Sequence, residues 1–354
     1  MENKISTSQF LLLSVVLIST YKLNNFASII YGNYKSSTIL VVLMYLFVDI
    51  ISTIVVYNLA KNDFFGSLSG RRRILFSIAL TLFFVLKMLV YFIEQATFVK
   101  GYLMAEMPMW LVYLILFLPP LAFSRYMFNS LARTNELLLP LIALLLLLNL
   151  VFLRVELKFE YNLPLISNYT KGYNGAFSYF IWSFDTLPLI TTKIEDKREI
   201  KRKKTIGIIG YVMGLLFTIM IVVFGISIYG GAFDKVDNLY VKISIFNDYN
   251  MMFGRLDWIG IICWLTCSFI TNCALIIGLK CSTQVMTKTR KNVSIIPVII
   301  TYFVLLFYLR DVKLVEKLSV DYFGFIGFYL MMIVAFIVLF LQIWGHNDKK
   351  DTKK

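Results

Sequence analysis

Apolar runs recur along this chain between short polar stretches. Their spacing predicts ten helices, at residues 7–31, 37–59, 74–98, 109–123, 135–153, 175–192, 205–229, 255–279, 293–309 and 322–344. A helix needs about 20 mostly apolar residues to cross a bilayer. The fourth run is short and is expected to continue through Pro119 and Pro120 toward Arg125. Within two of the runs the apolar pattern is broken. Lys22-Leu23-Asn24-Asn25 interrupts the first, and Phe184-Asp185-Thr186-Leu187-Pro188 interrupts the sixth.

Five spans followed by five more set the two halves in opposite orientation. Interrupted helices in corresponding positions of such halves point to a transporter-type binding site. The expected fold is therefore all-α and polytopic, a LeuT-like 5+5 inverted repeat with broken first and sixth helices. It forms a single transmembrane domain over 1–354, with repeats at 7–153 and 175–344 and a basic tail at 345–354.

Composition agrees with this pattern. Of 354 residues, 59% are hydrophobic and 16% charged, with mean hydropathy +0.75, which excludes an ordinary soluble domain. The net charge of +14 does not indicate nucleic acid, because the basic residues sit mostly in short loops. One set of alternate loops holds 22 Lys and Arg residues, the other set 11. The positive-inside rule then places the richer set, and both termini, in the cytoplasm. Cys263, Cys267, Cys273 and Cys281 share one span at spacings that match no zinc or redox motif, and they read as small packing residues.

The polar residues inside the spans carry the candidate chemistry. An unwound helix is tolerable at membrane depth only where its backbone is buried in protein or lines a cavity. Lys22, Asn24, Asn25 and Ser28 at the first break, with Phe184, Asp185 and Thr186 at the second, form the candidate substrate site. Asp185 lies near the midplane, roughly ten residues from the outer end of its span at ~1.5 Å each. It is the matching anion for Lys22, either as a switch that a zwitterionic ligand breaks or as a static bridge. Lys87 and Glu94 share a helical face and form a candidate intramembrane ion pair, structural or part of a proton relay. Arg255 and Asp257 form a candidate outer gate or an interfacial anchor beside Trp258. The stretch 230–254 is read as a surface helix, a lid or a plain loop. No phosphate-binding glycine loop, metal-ligand cluster or nucleophile–base arrangement is present, so neither an enzyme nor a cofactor is expected.

Several local stretches resemble one family. They are Ile5-Ser6-Thr7-Ser8-Gln9-Phe10 before the first span, Ala132-Arg133-Thr134-Asn135-Glu136 at the fifth, and Phe253-Gly254-Arg255-Leu256-Asp257-Trp258 with Trp264 at the eighth. Phe184-Asp185 falls where that family often has an aromatic–glycine–acid step. Together they resemble the B subunits of bacterial spore germinant receptors, the spore permease branch of the amino acid–polyamine–organocation transporters. The chain departs from the family in the first span, where Lys22-Leu23-Asn24-Asn25 replaces a small, glycine-containing stretch. The resemblance implies amino acid sensing in a central cavity and assembly with A and C subunits in the spore inner membrane. Secondary transport of amino acids with H⁺ or Na⁺ and a non-binding scaffold are the alternatives.

Overall fold

A computed structural model describes residues 3–67, 70–151, 157–163, 183–195, 201–245, 257–287 and 299–304. The architecture is that of an all-α polytopic membrane protein. Five described segments are long and apolar enough to cross a bilayer: Thr7–Lys61, Ile74–Leu103, Met109–Val151, Lys201–Lys235 and Trp258–Gln284. The expected tenth span at 322–344, the tail at 345–354, most of the ninth span and the first part of the sixth (175–182) lie outside the described residues.

The first segment holds α1 (Thr7–Tyr21), a wide turn at Lys22–Phe26, α2 (Ala27–Tyr34) and α3 (Thr38–Lys61). Ser6 starts α1 with a capping box: its hydroxyl accepts from Gln9 N, and its own N–H donates to the Gln9 side chain. The chain reverses at Lys35, whose φ is 46°, and α3 packs back along α2. After the short α4 (Phe64–Ser67) come α5 (Gly70–Phe98), α6 (Met109–Phe123) and α7 (Met127–Val151). Helix α6 carries Pro119 and Pro120 inside it and ends before a single tight turn, Ser124–Tyr126. Helix α7 starts well ahead of its apolar run, because the polar stretch before Leu137 is helical too. The later helices are α8 (Lys201–Tyr229), α9 (Leu239–Ser244) and α10 (Asp257–Thr287).

Helix α10 is central, with 72% of its most apolar window buried, against 22% for Met109–Val151. Hydrophobic transfer adds little between helices in lipid, so close packing and polar contacts hold the bundle. Gly207, Gly210 and Gly214 of α8 lie against Ser8, Leu12 and Val15 of α1, and a Cβ on any of them would clash there. Between α5 and α10, Asn272 donates to Gln95 at 2.8 Å, Tyr91 to Ser268 at 3.3 Å, and the Thr81 and Ser282 hydroxyls meet at 3.0 Å. Such bonds contribute on the order of 0.6 kcal/mol each.

One short strand pairing accompanies the all-α architecture. Strands β1 (Lys4–Ile5) and β2 (Lys193–Ile194) pair in parallel. Lys193 N donates to Asn3 O and Glu195 N to Ile5 O. Two residues are too few to leave an alternating pattern in sequence.

The stretch after α8 is neither a plain loop nor a surface helix. A 3₁₀ turn at Gly230–Lys235 leads into α9, whose Leu239, Tyr240, Val241, Ile243 and Ser244 are all buried. Residues 246–254 lie outside the description.

Candidate functional site

The capped apolar helix α1 runs regularly to Tyr21 and then loses its register. Lys22–Phe26 forms a wide π-type turn, inside which Asn24 leaves helical backbone entirely (φ −75°, ψ −128°). Asparagine side chains compete for backbone partners and weaken a helix interior, and here two stand in succession. The Asn24 amide is used in full view of two neighbours. Its Nδ2 donates to Glu94 Oε2 of α5 at 3.0 Å, and its Oδ1 accepts from Asn238 Nδ2 at 3.4 Å. Asn238 also caps α9, accepting from Val241 N, so the break in α1 is tied to that buried helix. Ser28 closes the turn by donating to Asn25 O at 2.8 Å.

The second break brings an acid to the same place. Ser183 to Thr186 form a bend and turn, followed by a 3₁₀ helix at Leu187–Thr191 with Pro188 at its start. Phe184 has a φ of 59°, in the left-handed region that a bulky residue rarely enters. That conformation costs on the order of 1–3 kcal/mol and persists only where the surroundings enforce it. Next to it, Asp185 is fully buried. Thr186 Oγ1 lies 3.4 Å from the hydroxyls of Ser52 and Thr53 on α3, which anchors the turn.

Around Asp185 four charges close on one another. Lys22 Nζ is 3.0 Å from Asp185 Oδ2 and 2.7 Å from Asp49 Oδ2 of α3. Lys87 Nζ of α5 donates to Asp185 Oδ1 and, at 2.7 Å, to the carbonyl of Ser183. Asp185 N donates to Asp49 Oδ1 at 3.4 Å. Lys22 also lies over the Phe26 ring at 5.1 Å, and Lys87 over the Tyr21 ring at 4.4 Å. All four ionic side chains are buried, and the cluster is neutral as a set. Desolvating each ion costs several kcal/mol, which only a closed arrangement of this kind offsets. Four separate stretches of chain supply one charge each, so the cluster locks their mutual positions.

Of the residues expected at the site, the structure brings Lys22 and Asp185 into contact and adds Lys87 to them. Lys87 and Glu94 turn to different partners, Asp185 and Asn24. Phe184 is half-buried against the core, and Thr186 faces α3. Arg255 and the side chain of Asp257 lie outside the described residues. Asp49 was not anticipated, although a lone acid midway along an apolar span is the same signal that marks Lys22. Asn238 left no comparable signal, since an asparagine in a connecting stretch is ordinary. Two polar atoms at the break are buried without a hydrogen-bond partner: Tyr21 OH and Asn25 Oδ1. They belong to residues four apart in sequence, a donor before Lys22 and an acceptor after it.

Comparison with known families gives a match over most of the chain. A family model described as Spore_permease, spore germination protein, matches residues 5–314. No curated protein matches the chain.

Proposed function

The chain belongs to the spore germination protein family, and from that premise we propose that it is the membrane subunit of a nutrient germinant receptor. On this reading it binds a small zwitterion, an amino acid, where the breaks of the first and sixth spans meet. Its partners are the soluble-domain A subunit and the lipoprotein C subunit, in the spore inner membrane with both termini cytoplasmic.

The observation that carries this reading is the unpaired donor and acceptor flanking Lys22, Tyr21 OH and Asn25 Oδ1, beside the closed charge cluster. A buried polar atom without a partner is costly, by about 1–3 kcal/mol. A ligand ammonium satisfies the Asn25 acceptor, and a ligand carboxylate accepts from Tyr21 and competes with Asp49 and Asp185 for Lys22. The cluster then has two arrangements, closed on itself or opened around the ligand. Ligand shifts their populations by its difference in affinity for the two. Moving the ratio from 1:99 to 99:1 takes about 5.5 kcal/mol, within what micromolar binding supplies, at about 8 kcal/mol.

The test is the thermal stability of the purified chain, with its A and C partners where they co-purify, against a panel of amino acids. One class of amino acid is expected to raise the unfolding midpoint dose-dependently in the wild type. The shift should vanish in Lys22→Ala and shrink in Asn25→Ala, the milder change because Asn25 is outside the charge cluster. No shift with any amino acid in a folded wild type would refute ligand sensing and leave a scaffold whose cluster is purely structural. Sustained uptake by the chain alone in vesicles would favour a transporter instead.

A further inference from the structure

A cavity of about 510 Å³ runs along the outside of α1, between α7 and α8. Its walls are apolar, with Val15 from α1, Leu139 and Ala143 from α7, and Phe217 from α8. The flanking Leu147, Ile206 and Met213 also line it and are 47–60% exposed, so among the described residues it opens sideways. At one end sit Ser8, Glu136 and Lys203; at the other it reaches Leu23, next to Lys22 at the break in α1.

We infer that this cavity is a binding site for one anionic phospholipid, its acyl chain lying along α1 and its phosphate at the start of α8. The depth fits. From Lys203 to Thr218 the helix rises roughly 22 Å at about 1.5 Å per residue. That length takes a chain from the headgroup level past half of a hydrocarbon core about 30 Å thick. The charge fits as well. Helix α8 opens with Lys201-Arg202-Lys203-Lys204, all exposed, and no acid stands in its first turn. Clustered basic residues at the membrane surface attract acidic lipid headgroups. A phosphate there meets the basic side chains, Lys203 of the cavity wall among them. The one carboxylate at the mouth, Glu136, is occupied by Gln9 Nε2 at 3.1 Å. Because the deep end touches Leu23, an acyl chain seated here bears directly on the segment carrying Lys22. The inference stands whether or not the chain senses an amino acid.

The experiment uses the full purified chain in nanodiscs of phosphatidylcholine with or without phosphatidylglycerol, read by native mass spectrometry and by thermal unfolding. One phosphatidylglycerol per chain is expected to be retained, with a higher unfolding midpoint than in phosphatidylcholine alone. Ala143→Trp, which fills the cavity, should reduce retention at least tenfold. Lys203→Gln, at the exposed mouth and neutral to packing, should erase the preference for the anionic lipid. Equal retention of both lipids by the wild type would overturn the inference, as would unchanged retention in both variants. A photoreactive residue at Met213 is expected to label lipid; labelling of a segment of this chain, or of an added amino acid, would also overturn it.

Discussion

Asp185→Asn is expected to lower the stability of the detergent-solubilised chain by about 3–5 kcal/mol, the cost of breaking a buried pair by removing one partner. Asp185 serves two lysines at once. Neutralising it leaves Lys22 with Asp49 and strands Lys87 among the rings of Tyr21 and Phe83. The double variant Lys87→Met with Asp185→Asn removes one charge of each sign and leaves the Lys22–Asp49 pair intact. It should recover most of the loss, since a buried pair is often replaceable by apolar groups at little cost. Unfolding midpoints of the wild type, both single variants and the double variant give the coupling directly. A double variant as unstable as Asp185→Asn alone would sink the idea that charge balance governs this site.

The second large effect is expected at Gly260, where α10 passes under α9. A Cβ there would run into the carbonyl oxygen of Tyr240 and the hydroxyl of Ser244. Backbone cannot step aside as a flexible side chain can, so Gly260→Val should displace α9 bodily. Overpacking of this kind costs about 1–3 kcal/mol or more. Displacing α9 also pulls Asn238 from Asn24, so the damage is expected to reach the break in α1. Hydrogen exchange should show loss of protection over 239–244 together with 22–26. Gly101→Ala is the control, since nothing lies within 4 Å of its added Cβ. Equal exchange in the two variants would count against a mechanical link between α9 and the break.

How much of this was legible in sequence depended on how far each signal departs from its surroundings. A lysine and two amides inside an apolar run stand out, and so does an acid before a proline in another run. Asp49 stands out as much, although no helix breaker accompanies it: α3 runs straight through it. The lesson is that charge at membrane depth is informative by itself, whether or not the backbone breaks. Partner choice was less legible. Lys87 and Glu94 share a face of α5, yet nothing in their spacing tells that one meets Asp185 and the other Asn24, because those contacts are set by which helices pack together. The family model matches residues 5–314 and says nothing of which charges meet; of the four in the cluster, only Lys22 lies in the stretch read as departing from the family. The β1–β2 pair and the burial of α9 were illegible for a different reason. Each is short, and its environment comes from distant parts of the chain.

The charge cluster also sets a problem of timing. Asp49 follows Lys22 in α3, the next expected span, so that pair can form as soon as two spans have left the ribosome. Lys87 comes after Asp49, which already faces Lys22; the acid that Lys87 contacts directly arrives 98 residues later. At about 5–20 residues per second, that is a delay of roughly 5–20 seconds. For that interval a nascent chain holds an ammonium at membrane depth ahead of its carboxylate. Insertion of the third span is therefore expected to need a wet or protein-lined path until the segment bearing Asp185 is made.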